Sequence, residues 1–509
     1  DWNYAVIIDA GSTGSRLYLY RFRSVSEKLL IDIRPAYDNI RRHVIKKINP
    51  GLSSFADNPE NATGNFFDLY YLKPLLDYAI QFIPFDKVKF TSLFIFATAG
   101  MRLIPVHKQN LILKNLHENL SAVVPMQVLP EHIRVISGDW EGIYSWIAVN
   151  YVLGRLDFVF FSLNQIFFAF SFKKDENFRK PTVGIIDMGG GSVQIAVETN
   201  QSGEEDEFSQ KINLGCDDNN DVFMYRLFVS TFLGFGVNQG LQKYENYMKN
   251  HLIQNNAPYV RDPCLPKNLV KQIHMENGSI FTRKGYGSWD DCFDHLVKLL
   301  AEQNQKVECV KRNCLLGMVR APNLSLSNTE LYGFSEYWFS MEDVLSLGGS
   351  YNFTTLAHEA RKFCAQKWST VLYRWRNRLY PKADKERIQM QCFKSAWISA
   401  ILHFGFHVDK YFNNFKSVLL IEGQEVQWTL GALLYHLRYF PLRDIQKQRL
   451  LEKKRRQNVT NRGIIYLLPL IISVFALFVV WFSLRRSILR RERSMWGYMM
   501  LSQNDSFAP

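Results

Sequence analysis

The fold of this chain is most constrained by a strand-and-loop pattern that occurs twice. Residues 6–20 read VIIDAGSTGSRLYLY, and residues 183–197 read VGIIDMGGGSVQIAV. In each copy an apolar run ends at an aspartate (Asp9 or Asp187), a glycine follows two residues later, and a second apolar run begins after a loop of small residues. The spacing of 178 residues between the copies indicates a duplicated α/β domain rather than a solenoid of short repeats.

Both loops have the chemistry of a phosphate site. Small residues let backbone N–H groups approach an anion closely, and serine and threonine hydroxyls add further donors. An aspartate at each strand end can hold a divalent cation, directly or through its waters, and that cation would bridge phosphate oxygens. Two ordinary glycine hairpins are the alternative. The chain contains no Gly-Lys pair, which excludes a Walker loop.

Two further stretches contribute candidate site residues. Residues 94–102 read FIFATAGMR, a strand that runs into a turn containing the hydroxyl of Thr98, and residues 137–146 read SGDWEGIYSW. Glu141 lies there beside a tryptophan. A carboxylate next to aromatic surface can have a raised pKa and act as a general base. The alternative is an ordinary acidic residue near a helix N-terminus.

One segment near the C-terminus is long and apolar enough to cross a membrane. Residues 463–484 form an uncharged run of 22 residues, the length of a bilayer-spanning helix; a buried core helix is the alternative. Basic residues flank this run and account for much of the net charge of +13. We therefore interpret the charge as membrane flanks and expect no nucleic-acid partner. Residues 485–509 would form a short basic cytosolic tail.

The cysteines and sequons are compatible with an oxidising lumen. All seven cysteines precede the apolar run, and none forms a CxxC pair of metal-binding spacing, so disulfides fit better than zinc. Seven of the eight Asn-x-Ser/Thr sequons precede that run, which permits a lumenal body and no more. The chain starts at Asp1, so we expect that an N-terminal targeting segment was removed or never belonged to it.

Residues 157–172, which read DFVFFSLNQIFFAFSF, fit no element of this scheme. The run is apolar and aromatic but short for a transmembrane helix. A buried hairpin, a surface insertion with an exposed apolar patch and an artefact of the gene prediction all remain open for it.

Five motifs in this order resemble the conserved regions of the nucleoside triphosphate diphosphohydrolases, the ecto-apyrase family. The motifs are DAGSTGSR, ATAGMR, GDWEGIYSW, DMGGGSVQIA and QWTLGALLY, and the resemblance covers roughly residues 3–440. Residues 332–338, 391–397 and 425–446 are similar to the Golgi and lysosomal branch, whose members have two transmembrane helices. This chain has only the C-terminal span, which suggests a truncated start.

The resemblance implies the fold and its division. We expect an α/β fold of two RNase H-like lobes, as in the actin, Hsp70 and sugar-kinase superfamily, with the active site in the cleft between them. The N-terminal lobe would span residues 1–150 and be completed by about 425–445. The C-terminal lobe would span residues 151–424, and the transmembrane helix 463–484 would follow.

The resemblance also implies roles for the motif residues. Glu141 is the expected general base that deprotonates the attacking water, with Gln194 and Ser192 as further catalytic residues. Asp9 and Asp187 are expected to hold Ca²⁺ or Mg²⁺ through its waters. The expected phosphate-binding residues are Ser12, Thr13, Gly14, Ser15, Arg16, Thr98, Gly189, Gly190 and Gly191. Arg102, in the second motif, would support the site.

Base recognition rests on an aromatic cluster. Residues 337–339 align with the region that stacks the nucleobase in the family, and Phe339 is our candidate; core packing of the cluster is the alternative. Trp428, in the fifth motif, is expected to pack rather than to act in catalysis.

The cysteines are similar in position to three family disulfides. These are Cys264 with Cys292, Cys309 with Cys314, and Cys364 with Cys392. Cys216 is then left as an odd thiol.

The expected function is that of a lumenal, membrane-anchored nucleotide phosphohydrolase of the endomembrane system, with one or two spans. UDP-type diphosphates and the Golgi are favoured, and triphosphates or endolysosomes are the alternative. A non-hydrolytic nucleotide switch is disfavoured by the pairing of Glu141 with Gln194, and an exopolyphosphatase-like enzyme by the five motifs. The nucleobase and the oligomeric state stay open.

Overall fold

The structure is a computed structural model that describes residues 2–24, 30–62, 71–156, 180–199, 209–215, 223–255, 259–274, 280–304, 314–322, 329–440 and 472–491. The chain forms two compact units, Asp1–Pro441 and Leu442–Pro509. The apolar run 157–172, Cys216 and Cys309 lie outside the described residues, so the expectations for them stay untested.

The strands of the first unit are short and numerous. They are β1 Asn3–Ala10, β2 Ser15–Arg23, β3 Asp32–Pro35, β4 Ile45–Ile48, β5 Ser92–Ala97, β6 Ile133–Val135, β7 Gly184–Met188, β8 Ser192–Glu198, β9 Ser209–Asn213, β10 Met224–Leu233, β11 Val260–Asp262, β12 Val270–His274, β13 Ile280–Gly285, β14 Cys314–Leu315, β15 Val319–Arg320, β16 Leu331–Ser335, β17 Gly349–Ser350, β18 Phe415–Ser417, β19 Leu420–Ile421 and β20 Gln424–Glu425.

Helices cover and separate the sheets. They are α1 Lys73–Ile80, α2 Phe85–Val88, α3 Ala99–Arg102, α4 Val106–Val123, α5 Gly138–Val152, α6 Val237–Asn255, α7 Trp289–Asn304, α8 Glu336–Glu342, α9 Phe353–Cys364, α10 Trp368–Arg376, α11 Lys385–Ala400 and α12 Trp428–Leu437. The second unit contains α13 Ile472–Arg491.

Two large sheets repeat one topology. The first has the order β3-β2-β1-β5-β6, with β4 also paired to β2, and the second has the order β17-β18-β16-β7-β8-β10-β9. In both, the Asp-bearing strand pairs antiparallel with the strand after its loop (β1 with β2, β7 with β8) and parallel with a later strand on its other side (β5 or β16). The duplication that the sequence predicts is therefore present in the topology.

The apolar run in β1 follows from burial on both faces. Ala5 and Ile7 point into one core cluster, whereas Val6 and Ile8 point into another. A strand buried on both faces reads as a continuous hydrophobic run instead of an alternating one. This burial brings the end of the strand, and with it Asp9, into the interior of the unit.

Helices α5 and α12 share one core with both sheets. The cluster that contains Ile7 of β1 and Ile185 of β7 also contains Trp146 of α5 and Leu433 of α12. The two helices touch at Gly431, where a Cβ would lie 1.9 Å from the carbonyl oxygen of Tyr144. The predicted lobe boundary at residue 150 falls inside α5, and the proposed domain limits stay a prediction.

Two of the three expected disulfides are described. Cys264 bonds to Cys292 and Cys364 bonds to Cys392, each across 28 residues. Both pairs are buried in the core of the second sheet and its helices. Cys314 is also disulfide-bonded, but its expected partner Cys309 is outside the described residues.

The C-terminal apolar segment forms a long helix. Helix α13 has 20 residues and contains an 18-residue stretch with a mean hydropathy of 1.7, so it is long and apolar enough to cross a membrane. It begins inside the predicted span 463–484 and continues beyond it, through the arginines at 485 and 486, to Arg491. Residues 463–471 and 492–509 lie outside the described part of the chain.

Candidate active site

The two glycine loops line one cleft with a cavity volume of about 220 Å³. Nearly all of the site residues predicted from the sequence lie in its wall. They are Asp9, Ser12, Thr13, Gly14, Arg16, Thr98, Glu141, Asp187, Gly189, Gly190, Gly191, Ser192, Gln194 and Phe339. The structure thus brings together residues that are more than 300 positions apart in the chain.

Ser15 is the predicted phosphate ligand that does not line the cleft. Its side chain is fully buried, and its hydroxyl oxygen lies at hydrogen-bond distance, 2.9 Å, from that of Tyr71. Tyr71 donates to the carbonyl oxygen of Pro50, in the turn after β4. The Ser15 hydroxyl therefore supports the loop from behind, because β2 begins there and turns this side chain into the core.

The second loop rests on the N-terminus of α6. The backbone N–H groups of Val237 and Asn238 donate to the carbonyl oxygens of Gly189 and Gly190, at 3.0 Å each. A Cβ at Gly236 would come within 2.5 Å of the backbone of Gly190 and Ser192. The helix end thus receives its missing acceptors from the loop, and the loop is held in one position.

The loops also approach each other closely. A Cβ at Gly190 would lie 3.2 Å from the hydroxyl oxygen of Ser12, and one at Gly191 would lie 2.9 Å from the Cβ of Ala99. A Cβ at Gly100 would lie 2.6 Å from the Cα of Ser12. Glycine is required at these positions because three backbone segments converge on one small anion-sized space.

Glu141 is placed by the start of α5. Ser137 caps this helix by accepting a hydrogen bond from the N–H of Trp140 at 3.3 Å, as serine commonly does at an N-cap. The Oε2 of Glu141 accepts hydrogen bonds from Arg102 at 2.7 Å and from Gln194 at 3.2 Å. These contacts tie the helix to the second motif and to β8.

Ser192 is the hub of this network. Its hydroxyl oxygen accepts from the Nε2 of Gln194 at 2.7 Å and from the Nη2 of Arg102 at 3.1 Å. Arg102 itself is 13% exposed at its side chain and Glu141 is 14% exposed. The catalytic trio expected from the sequence therefore forms one connected, largely buried group.

Three largely buried carboxylates line the cleft. Burial and the nearby charge of Glu141 raise the pKa of Asp9 to about 7, although Arg16 and a hydrogen bond from Trp428 oppose the shift. Burial also raises the pKa of Glu141, against the lowering effect of Arg102, and burial raises that of Asp187. Like charges in a desolvated space repel, so this arrangement favours a positively charged ligand.

The residues present fit a hydrated cation. The Oδ1 of Asp9 is buried and has no hydrogen-bond partner, so an acceptor is left for a metal-bound water. Across the described ranges, no group of three or more His, Cys, Asp or Glu side chains is arranged to chelate a metal directly. Asp9 and Asp187, one at each loop, are the carboxylates that would hold such a cation.

Several cleft residues were missed from the sequence. Ser145 donates to the Oδ2 of Asp187 at 3.4 Å, and a second hydroxyl, that of Ser335, also hydrogen-bonds this carboxylate. Ser335 has a φ of +56°, a conformation that costs energy for a residue with a side chain. Ser145 follows Glu141 by one helical turn, a spacing that could have identified it as a site residue. No sequence pattern around Ser335 indicates that it contacts the site.

Trp428 packs in a core cluster and also contacts the site. Its indole hydrogen-bonds the carboxylate of Asp9 and opposes the rise in the pKa of that group. The ring also lines the cleft at the start of α12.

Phe339 stands at the cleft wall with a cation over its ring. The guanidinium carbon of Arg387 lies 4.6 Å from the ring centroid. Tyr337, in the same cluster, is instead buried in the core.

Comparisons with known proteins decide the family. The sequence profile of the GDA1/CD39 (nucleoside phosphatase) family matches residues 1–455. The chain belongs to this family. The GDA1/CD39 match confirms the predicted resemblance to the ecto-apyrases and the predicted enzyme class, a nucleotide phosphohydrolase.

Named GDA1/CD39 relatives match along most of their length. The chain is 44% identical over 519 residues to nucleoside-diphosphatase mig-23 of Caenorhabditis elegans, covering 99% of this chain and 90% of the relative. It is 38% identical over 516 residues to ectonucleoside triphosphate diphosphohydrolase 7 of Xenopus tropicalis, covering 96% and 82%. It is 37% identical over 473 residues to ectonucleoside triphosphate diphosphohydrolase 4 of Homo sapiens, covering 88% and 74%.

A solved structure shares the fold. The crystal structure of nucleoside triphosphate hydrolases from Neospora caninum superposes with a TM-score of 0.58, covering 86% of this chain and 93% of that chain at 14% identity. Together with the repeated sheet topology, this likeness confirms the predicted fold class of two RNase H-like lobes.

Proposed function

We propose that this protein hydrolyses the terminal phosphate of nucleoside diphosphates and triphosphates, with UDP-type diphosphates favoured. The observation that carries the proposal is the position of Glu141, a buried carboxylate in the cleft wall held by Arg102 and Gln194. The name of the relative mig-23, a nucleoside-diphosphatase, supports the preference for diphosphates.

In the proposed reaction Glu141 takes a proton from the attacking water. The water oxygen bonds to the terminal phosphorus and the bridging P–O bond breaks. A diphosphate then yields a nucleoside monophosphate and orthophosphate, and a triphosphate yields a nucleoside diphosphate and orthophosphate. Gln194 and Ser192 orient the water from β8. A carboxylate whose pKa is raised by burial is a stronger base than an exposed one, which suits proton removal near neutral pH.

The glycine loops would bind the phosphate oxygens. Residues 11–14 and 189–192 line the space on which both loops converge. The N–H groups of Gly11 and Gly189 donate within their own loops, to the carbonyl oxygens of Gly14 and Ser192. The N–H groups between them, with the Ser12 and Thr13 hydroxyls, would donate to the phosphate. Fixed donors of this kind stabilise charge that develops in the transition state without having to reorganise.

A divalent cation fits between the loops. Ca²⁺ or Mg²⁺, when bound, would offset the negative charge of the phosphate oxygens. Asp9 and Asp187 would hold it through its waters, with Trp428, Ser145 and Ser335 fixing the two carboxylates.

The nucleobase would bind at the aromatic side of the cleft. Phe339 and the neighbouring guanidinium of Arg387 offer planar surfaces that suit any base, because stacking depends on the π-face and not on hydrogen-bond pattern.

We also propose that α13 anchors the enzyme in an endomembrane, with residues 1–441 in the lumen and a basic cytosolic tail. The described disulfides Cys264–Cys292 and Cys364–Cys392 support an oxidising compartment. The Golgi is favoured and endolysosomes are the alternative. Protease protection of the catalytic unit in sealed microsomes tests the orientation, and digestion without detergent would contradict it.

The decisive experiment is a substrate panel on the purified protein. UDP, GDP, CDP, UTP and ATP are each supplied with Ca²⁺ or Mg²⁺, and orthophosphate release is measured. Glu141→Gln should lose activity by at least a hundredfold, whereas Asp139→Asn, in the same first turn of α5 but outside the cleft wall, should retain most of it. Full activity in Glu141→Gln would show that Glu141 is not the general base.

A triphosphate-preferring enzyme is the second candidate, supported by the relatives named as triphosphate diphosphohydrolases. The ratio of kcat/KM for UTP to that for UDP separates the two. Slow single-turnover hydrolysis with retained product would instead indicate a nucleotide switch.

A further inference from the structure

Three charged residues form a row across the first sheet. Asp9 on β1 is the register partner of Arg16 on β2, and Arg16 is in turn the register partner of Lys47 on β4. Directly opposed residues in a sheet project to the same face. The row therefore leads from the carboxylate beside the cation site to an ammonium group at the cleft wall, over two strand spacings or about 10 Å.

The two cationic side chains in this row differ in whether they have a carboxylate partner. Arg16 lies 3.7 Å from the carboxylate of Glu425 and donates to the hydroxyl of Tyr18 at 3.2 Å. Among the described residues, Lys47 has no ion-pair partner. It lines the cleft with its charge available to a ligand.

Further cations lie near Lys47. Burial and the positive charges of Arg16 and Arg387 lower the pKa of the Lys47 ammonium, against the raising effect of the Asp9 carboxylate. Arg16 and Arg387 each have a carboxylate partner, Glu425 and Asp343. Among the described residues the Lys47 ammonium forms no such ion pair, so an anion bound in the cleft would supply its partner. Arg387 lies over Phe339 on the aromatic side of the cleft, and Asp9 lies at the proposed cation site. The Lys47 ammonium interacts with the charges of both residues.

Gly14 makes the approach of Lys47 possible. A Cβ at Gly14 would come within 3.1 Å of the Cε of Lys47 and within 2.4 Å of the Ile48 carbonyl oxygen. The lysine stem therefore runs directly over the first phosphate loop. Any larger residue at position 14 would push β4 and its lysine away from the cleft.

We propose that Lys47 binds the inner phosphate of the substrate, the one adjacent to the phosphate that is hydrolysed. This inference rests on the proposed function, since it assumes a polyphosphate in the cleft. When the bridging P–O bond breaks, its electron pair stays on the oxygen of the inner phosphate, and the Lys47 ammonium offsets that charge. Lys47 therefore contributes both to binding and to the departure of the nucleoside monophosphate.

The test compares Lys47→Met, Lys47→Arg and a matched control, Lys46→Met. Lys46 precedes it on the same strand, and its ammonium lies 5.1 Å from the ring centroid of Tyr78, away from the cleft. Lys47→Met should lower kcat/KM for UDP about ten- to a hundredfold, the usual effect of losing a charge-assisted hydrogen bond. Lys47→Arg should recover most of this loss, and Lys46→Met should match the wild type.

Product inhibition locates the phosphate. In Lys47→Met, inhibition by UMP should weaken about tenfold, whereas inhibition by orthophosphate should stay unchanged. If inhibition by UMP and by orthophosphate weakened equally, Lys47 would lie at the terminal phosphate. If neither inhibition changed, Lys47 would not contact the substrate. Either result overturns the proposal.

A binding measurement separates this inference from the proposed function. Calorimetric titration of UDP into Glu141→Gln, with and without Lys47→Met, needs no turnover. If the wild type hydrolyses UDP but the second substitution leaves the affinity unchanged, only the Lys47 assignment fails. If the wild type hydrolyses no nucleotide yet the affinity for UDP falls on removing Lys47, the proposed function fails and the anion site stands.

Discussion

Arg102 donates to the Oε2 of Glu141 at 2.7 Å, and the same Nη2 atom donates to Ser192 at 3.1 Å. The guanidinium thus connects the proposed base with the loop that would hold the phosphate. Because its charge lowers the pKa of Glu141 while burial raises it, Arg102 sets the protonation state of the base.

Removing this charge should move the pH profile. In Arg102→Gln the pKa of Glu141 rises further, so the base is protonated over more of the neutral range and the acid limb of kcat/KM shifts to higher pH. Activity at neutral pH should fall, by up to about tenfold for each pKa unit gained, and recover partly in alkaline buffer. A uniform loss with an unmoved acid limb would show that Arg102 acts on the phosphate instead.

The hydroxyl of Ser335 should control cation affinity. It hydrogen-bonds the carboxylate of Asp187 and thereby lowers the pKa of that group. Ser335→Ala should raise the Ca²⁺ concentration for half-maximal activity roughly tenfold, the usual effect of losing a residue that orients a metal-site carboxylate. The KM for UDP at saturating Ca²⁺ should stay unchanged, and a changed KM with normal Ca²⁺ dependence would contradict the prediction.

The second phosphate loop should not tolerate a side chain behind it. In Gly236→Ala the new Cβ would lie 2.5 Å from the backbone of Gly190, so the loop must shift, and misplacement by about 1 Å costs roughly a hundredfold in rate. Gly240→Ala is the control, because its Cβ would meet the ring of Trp397 at 2.4 Å and not the loop. Both should lose thermal stability, but only Gly236→Ala should lose kcat beyond that; equal kcat values would contradict this.

Acid should destabilise the fold through His436. Its Nε2 lies 2.9 Å from both the Tyr144 hydroxyl and the Nη2 of Arg134, and burial with the charge of Arg134 lowers its pKa from 6.5 to about 3. Between these values the unfolded chain binds the proton and the folded one does not, so stability falls as pH drops below 6.5. The expected loss attributable to His436 at pH 5.5 is about 1 kcal/mol.

Denaturant unfolding of His436→Gln at pH 7.5 and 5.5 checks this. The difference in unfolding free energy between the two pH values should be smaller in the variant by that amount. Other titrating groups, including carboxylates with raised pKa values, contribute equally to both proteins and cancel. An identical pH dependence in wild type and variant would show that His436 is not the group responsible.

The sequence by itself determined the features that depend on neighbouring residues. The strand, aspartate and glycine loop at Asp9 and its copy at Asp187 are local patterns, because a buried strand needs an apolar run and a close approach to phosphate needs small residues. The same holds for the cap and first turn of α5 that carry Glu141, and the duplication followed from comparing the two copies.

Only the tertiary structure decided which distant residues complete the site. Lys47 reaches the cleft because β4 pairs with β2 in a register that sets it opposite Arg16, and Ser335 reaches Asp187 because β16 lies beside β7. Ser15, whose neighbours line the cleft, turns into the core for the same reason. Pairing between strands far apart in the chain is fixed by packing across the whole sheet, so no window of sequence contains it.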